Sequence, residues 1–470
     1  RRPALALTPL QRERRARRAF SSIGTQVQAR VDVAHLSRNL AAYEADVAAR
    51  GNAECKPTLV VELGAKAAKL RQDIAAVRRE RNEIAASSKG RRPTDEQVAA
   101  GKRIKDQLAG LESALGELEA QLNAEMMLLP NWIDPETPRS GENTVGELEE
   151  NGEGVVVGCS DTALPTFKGF QPKTHHDIAE ELGIVDFTGP VKTSGQKFAS
   201  FRKQGALLEL ALAQWALSML HGKGFEAVLT PDLVRASVLE SCGFSPRGES
   251  SHVYSVENHS SEEHRNANLC LTGTAEVPLA GTRMGHRFAN AERNLPERLA
   301  GFGHCFRAEA GSTGKVGRGL YRLHQFSKVE MFVFCLPEDS PRELANLRRI
   351  QEDICDQLGL CWRTIDMFPH ELGHPAARKF DVQVFMPSRE SFGEVASIST
   401  CTDFQARRLD IRYKKADDSR GYVHTLNGTA VAVPRIILAL LETHQQEDGS
   451  VRLPECLVPF MGGRTHLTRD

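Results

Sequence analysis

Arg307 and Glu309, separated only by Ala308, precede a Gly-rich basic turn (Gly311, Gly314, Lys315, Gly317, Arg318, Gly319). The chain then resumes as Leu323-His324-Gln325-Phe326 and continues to Lys328 and Glu330. Alternate residues of a β-strand point to one face. With both runs as strands, Arg307 and Glu309 project together, and Phe326, Lys328 and Glu330 project together opposite them. A cation, an aromatic plate and carboxylates on one sheet face suit a triphosphate, a flat base and a small ammonium compound. Charge pairs across ordinary hairpins are common, but the full spacing is far harder to obtain by chance.

Other segments carry related chemistry. Leu271-Thr272-Gly273-Thr274-Ala275-Glu276 sets hydroxyls and a carboxylate ahead of an apolar run. The plain alternative there is an N-capping Thr with a solvated Glu. Gly393-Glu394-Val395-Ala396-Ser397 offers hard oxygen donors of the kind Mg²⁺ takes. Leu426-Asn427-Gly428-Thr429 leads through an apolar stretch to Pro434-Arg435. His370-Glu371-Leu372-Gly373-His374 matches the zinc-protease pattern, whose two His must lie one turn apart on a continuous helix. Pro375 disfavours helical backbone at His374, and that reading is rejected.

These groups need a rigid frame. From about residue 171 to 470, short β-rich runs alternate with amphipathic helices such as Leu207 to Leu220, which predicts an α+β domain on an antiparallel sheet flanked by helices. Upstream the material differs. Ile104, Leu108, Leu111, Leu115, Leu118 and Leu122 recur at spacings of four and three, and Leu70, Ile74, Val77 and Ile84 give a complementary stripe, with Arg81 at one seam position. A turn with Gly90 and Pro93 separates the stripes, with Thr94 or Asp95 as N-cap of the second helix. Residues 31–132 therefore read as an antiparallel two-helix coiled-coil arm. Arg78, Arg79, Arg91 and Arg92 crowd its distal half with several lysines, a cluster suited to phosphate backbones. Residues 133–170, rich in Pro, Gly and acids, read as a linker and domain entry.

The 470 residues carry a formal net charge of −1, so any RNA contact must come from a local basic surface. No apolar run approaches the ~20 residues of a membrane span. The ten cysteines include no CxxC pair, which leaves no zinc ribbon and no disulfide framework. Residues 1–30 are rich in Arg, Ser and Ala with a single acid, Glu13, the look of an organellar transit segment; a basic tail touching nucleic acid is the alternative.

The Arg307–Glu330 block resembles motif 2 of class II aminoacyl-tRNA synthetases, and in detail the chain resembles the seryl-tRNA synthetases. Gly224 to Pro231 resembles motif 1 and Leu426 to Ile436 motif 3. The resemblance runs collinearly over roughly residues 170 to 460. It implies ATP-dependent activation of L-serine to seryl-adenylate and transfer of the seryl group to serine tRNA by a homodimer, in a mitochondrion or chloroplast given the leader. It implies that Thr274, Ala275, Glu276, Glu330, Asn427 and Thr429, with Arg307, meet serine. Arg307, Ala308, Glu309, Phe326, Glu394, Val395, Ala396, Ser397 and Arg435 would meet ATP. Glu394 and Ser397 would also hold Mg²⁺, and Arg435 would stack on adenine opposite Phe326. Arg307, Glu394 and Arg435 are the implied catalytic groups, and the basic arm would grip the tRNA. A synthetase paralogue that binds RNA or a carrier protein without aminoacylating is the competing reading.

Overall fold

The computed structural model describes residues 27–87, 94–139, 147–245, 252–257, 268–308 and 319–469. Residues 1–26 of the expected leader, Arg91 and Arg92 at the arm tip, and Glu309 with the basic turn through Arg318 lie outside the described residues.

The chain divides into two compact units, one of which comprises residues 28–135 with 369–372. Short helices α1 (Val33–Arg38) and α2 (Leu40–Ala49) precede the long pair α3 (Pro57–Ser87) and α4 (Asp95–Met127). With 31 residues, α3 spans about 46 Å at the helical rise. The leucine seam packs as expected: Ile74, Val77, Ile104 and Leu108 bury one another, with Ile84, Leu111 and Leu115 beside them. Leu118 and Leu122 belong instead to a base core with Leu36, Tyr43, Val60 and Leu63. Arg81 breaks the stripe and is exposed. Thr94 starts α4 with a reciprocal capping box: Gln97 N–H donates to Thr94 Oγ1 (3.2 Å) and Thr94 N–H donates to Gln97 Oε1 (3.0 Å). Arg71 with Glu119 (2.7 Å) and Arg78 with Glu112 (2.8 Å) tie the two helices across solvent.

The other unit holds a sheet of nine strands among the described residues: β1 (Glu147–Leu148), β2 (Gly154–Cys159), β3 (Glu226–Leu229), β4 (Glu297–Phe306), β5 (Gln325–Cys335), β6 (Trp362–Met367), β7 (Arg378–Met386), β8 (Ser391–Thr402) and β9 (His424–Ala432). Their order is β1-β2-β6-β7-β8-β9-β5-β4-β3, antiparallel except for the parallel pair β3–β4. The segment expected as a linker thus supplies β1 and β2, and β2 hydrogen-bonds β6. Gly154 to Cys159 centres on Val155-Val156-Val157, a β-branched run that the surrounding Pro and acidic residues disguised.

Both faces of β5 are covered, as its burial from Ser327 to Cys335 requires. Val329, Met331 and Val333 enter one core with α5 (His175–Leu182), α6 (Lys203–Gly222), α8 (Ser340–Gln357) and α10 (Val433–Thr443). Phe332 and Phe334 enter a second core with α7 (Glu276–Gly281) and α9 (Phe404–Leu409). Ile436 to Leu441, the most apolar run, is the buried face of α10. No helix among the described residues is long and apolar enough to cross a membrane.

Candidate active site

The face of β5 that buries Phe332 and Phe334 presents Phe326, Lys328 and Glu330, farther back along the strand, to a cavity of about 380 Å³. That volume suits a small ligand or part of a nucleotide. Arg307, expected on the strand, lies one residue beyond its end at Phe306, yet its N–H still donates to His324 O (2.9 Å), which extends the pairing by one rung. Its guanidinium sits 5.3 Å from the Phe326 ring centre.

One end of the cavity is a buried acid–base cluster. Lys328 Nζ donates to Thr274 Oγ1 (2.6 Å) and lies 2.5 Å from Glu330 Oε2. Thr429 Oγ1 donates to the same Glu330 oxygen at 3.4 Å. Glu276, at the start of α7, accepts from Gln405 Nε2 (2.6 Å) and Asn427 Nδ2 (3.1 Å) through one oxygen. Burial, and then the neighbouring Glu330 charge, push the Glu276 carboxyl up to about 7. Two carboxyl groups face one ammonium here, with Arg307 acting from farther off, a balance that favours a further cation beside Glu276 and Glu330. The solvated-Glu alternative for this segment is excluded, because Glu276 is only 5% exposed.

The other end carries Glu394, Ser397 and Arg435. Residues three apart on a regular strand face opposite ways, so Glu394 and Ser397 should not share a cavity. A bulge reconciles them: Gln383 pairs with Glu394 and Val382 with Ala396, which leaves Val395 over as the extra residue. Burial works against ionisation of Glu394, but Arg435, Lys379 and Arg307 outweigh it and hold the carboxyl below the usual range. Arg435 Nη1 lies 3.2 Å from Glu394 Oε2 and donates to the Glu394 carbonyl (3.1 Å). Asp381, opposite Ser397 on β7, is buried; its Oδ2 lies 3.0 Å from Lys379 Nζ, while its Oδ1 has no hydrogen-bond partner among the described residues. Hard oxygen donors with one unpaired fit a divalent cation bound alongside phosphates.

The two residues of the expected adenine sandwich each have a neighbouring ring or cation. Arg435 and Phe326 both line the cavity, but Arg435 lies 4.7 Å over the Tyr321 ring and Phe326 lies under Arg307. Val395 and Ala396 line the cavity, whereas Ala275 and Ala308 do not. Ala275 is buried in the second core, and the Ala308 N–H is spent on His252 O (2.9 Å). Lys328, Gln405, Lys379 and Tyr321 emerge as site residues that had no assigned role. Lys328 shares the strand parity of Phe326 and Glu330, a signal already visible; nothing local in the sequence joins Gln405 to Glu276. The HExxH residues fail as a zinc helix, since Pro369–Glu371 is a single 3₁₀ turn.

A model of the seryl-tRNA synthetase N-terminal domain matches residues 31–133, and one of the tRNA synthetase class II core domain (G, H, P, S and T) matches residues 254–444. The chain is 40% identical over 436 residues to a serine--tRNA ligase of Rubrobacter xylanophilus, covering 92% of this chain and 98% of that one. It is 40% identical over 407 residues to a serine--tRNA ligase of Treponema denticola, covering 86% and 92%. Among solved structures, the seryl-tRNA synthetase of Pyrococcus horikoshii complexed with ATP superposes with a TM-score of 0.83 at 33% identity, over 94% of this chain and 100% of that one.

Proposed function

The chain belongs to the seryl-tRNA synthetase family, a class II serine--tRNA ligase that uses ATP, and on that premise we propose how its residues divide the work. The observation that carries the assignment is the single cavity with a buried Glu276–Lys328–Glu330 cluster at one end and Arg307, Phe326, Glu394 and Arg435 lining the rest. Serine lies at the cluster, its ammonium supplying the missing positive charge and its hydroxyl meeting the polar groups of Glu276 and Thr429. Its carboxylate oxygen attacks the α-phosphorus of ATP; the new P–O bond forms as the bond to the bridging oxygen breaks and pyrophosphate leaves. No proton need move in this step, so the protein contributes position and charge. Arg307, on the Phe326 side, neutralises the α-phosphate, and Arg435 faces adenine. Glu394 and Ser397, with Asp381 behind them, would hold Mg²⁺, which supplies charge neutralisation at the phosphates. The seryl group then passes to the terminal adenosine of the tRNA. Aminoacylation of serine tRNA with a panel of labelled amino acids tests the whole reading; failure to charge serine in particular would leave the RNA-binding paralogue.

The acid–base cluster makes this site pH-dependent in a defined direction. Glu276 is largely protonated below about 7 and must ionise to accept an ammonium. A raised carboxyl favours the folded state below its unfolded value, and that contribution is lost as pH rises through the folded one. Serine should therefore bind more tightly as pH rises from 5.5 to 7 and level off above. Calorimetry at pH 6 in two buffers should show close to one proton released per serine bound. Equal affinity across that range would sink the assignment.

The arm is proposed to grip the tRNA, with Arg79 and Arg78 exposed on α3. Arg78 already shares Glu112, but an exposed pair is worth only ~0–1 kcal/mol and yields easily to phosphate. Neutralising Arg78, Arg79, Arg91 and Arg92 together should raise the tRNA KM about tenfold or more and flatten its salt dependence. Serine-dependent pyrophosphate exchange should stay within about twofold; loss of exchange would make the arm a folding element instead. A homodimer is proposed through β3, the edge of the sheet among the described residues, where Leu229 is 77% exposed and Leu207, Leu210 and Leu233 are exposed nearby in sequence. Sedimentation at micromolar concentration should give the dimer mass. An organellar location is proposed from the leader composition alone, and a reporter fused to residues 1–30 that stayed cytosolic would remove it.

A further inference from the structure

Glu442, near the end of α10, is buried and accepts four hydrogen bonds. His175 donates to its Oε1 from both backbone N (3.1 Å) and ring Nδ1 (2.8 Å). Ser388 donates to its Oε2 from N (3.1 Å) and Oγ (2.7 Å). The other ring nitrogen of His175 accepts from the Leu320 N–H at 3.3 Å. Those partners assign the tautomer, with the proton on Nδ1 and the lone pair on Nε2. A Cβ added at Gly319, which has φ +74°, would collide with that same nitrogen, so the backbone must approach the ring closely here.

The next residue along is Tyr321. Two guanidiniums lie by its ring, Arg435 at 4.7 Å and Arg389 at 5.2 Å from the centre, and its carbonyl accepts from Arg435 Nε (3.4 Å). Leu320, bonded by His175, fixes one side of Tyr321; Ser388, bonded by Glu442, fixes Arg389 on the other. One buried carboxylate therefore organises both supports of the ring on which Arg435 rests. Packing explains none of this polarity, since an apolar contact would dock the same backbone without three polar groups to satisfy.

We propose that His175, Glu442 and Tyr321 are positioning residues for the ATP site, a buried polar strut that holds Arg435 in the plane from which it meets the base. The inference rests on the reading of Arg435 as the adenine-side cation. His175 can be split into its two halves: Gln keeps an acceptor where Nε2 meets Leu320, and Asn keeps a donor where Nδ1 meets Glu442. In serine-dependent pyrophosphate exchange, His175→Asn should raise the ATP KM about tenfold, the loss of one good hydrogen bond, while His175→Gln stays within about threefold. Serine KM should hold in both. Equal ATP KM values in the two variants, an Asn variant better than the Gln variant, or a serine KM that rises in step overturns the strut; a helix anchor acting through Glu442 alone would give the second of these. Tyr321→Leu and Tyr321→Phe give an independent reading: the first should raise ATP KM, the second should not, and an unchanged Leu variant overturns the proposal. Arg435→Ala in the same assay separates the failures. If it leaves ATP KM unchanged, the adenine reading is wrong; if it raises ATP KM while the His175 pair does not split, only the strut is wrong.

Discussion

Glu276→Ala should abolish serine activation while leaving the rest of the enzyme able to bind its other substrates. The carboxylate is buried and holds the Gln405 and Asn427 amides, so removal takes away the partner for serine and also strands two donors. Hydrogen bonds to charged groups contribute ~1.5–3 kcal/mol each, and two such losses predict a fall of about 10² to 10⁴ in kcat/KM for serine. The ATP KM and the affinity for tRNA should change by less than about threefold, since neither contacts this end of the cavity. Glu276→Gln distinguishes charge from shape: it keeps the volume and one acceptor but cannot neutralise an ammonium, and should rescue little. A Gln variant with near-normal serine kinetics would show that Glu276 serves only to order its amide neighbours.

Arg435→Ala should be the corresponding loss on the nucleotide side. A desolvated cation over an aromatic face is worth up to ~2 kcal/mol, and Arg435 additionally keeps Glu394 ionised. We expect kcat/KM for ATP to fall by about 10² or more in pyrophosphate exchange, with thermal unfolding little changed. Arg435→Lys retains the charge beside Glu394 but not the flat, bidentate fork. It should restore less than about a tenth of the activity, because a point charge cannot lie parallel to a base. Lys at nearly full activity would reduce Arg435 to a counter-ion.

What the sequence disclosed, and what it hid, follows from how far each signal reaches. The leucine seam and the Phe326–Lys328–Glu330 parity are local periodicities, and both survive folding almost unchanged. The membership of Lys328 in the buried acid–base cluster was equally local, but an ammonium between Thr274 and Glu330 looks like any strand lysine until its partners are known. Gln405 and Glu276 lie 129 residues apart, and no pattern along the chain joins them. The resemblance to a family named Ala275 and Ala308 as contacts, yet the one is turned into a core and the other spends its N–H elsewhere. β2 was missed for a different reason: its neighbours in sequence are loop-like, and only pairing with β6, some two hundred residues away, makes it a strand.

The extra residue at Val395 gives β8 an unequal tolerance of deletion and insertion. On an ordinary strand, losing one residue turns every side chain beyond it to the opposite face. Here deletion of Val395 would heal the ladder opposite Val382 and Gln383 and leave every remaining bond satisfied. The strand would fold, and fold more regularly than before. Glu394 and Ser397 would then stand two apart instead of three, with Ala396 between them, and would still share a face. An insertion has no such escape: one added residue on either side of Val395 turns a side chain out of the cavity and a neutral one in. This strand is thus a place where the reading frame of side chains matters as much as their identity, and where a single-codon insertion, harmless in a surface loop, would act like a change of residue at every position beyond it.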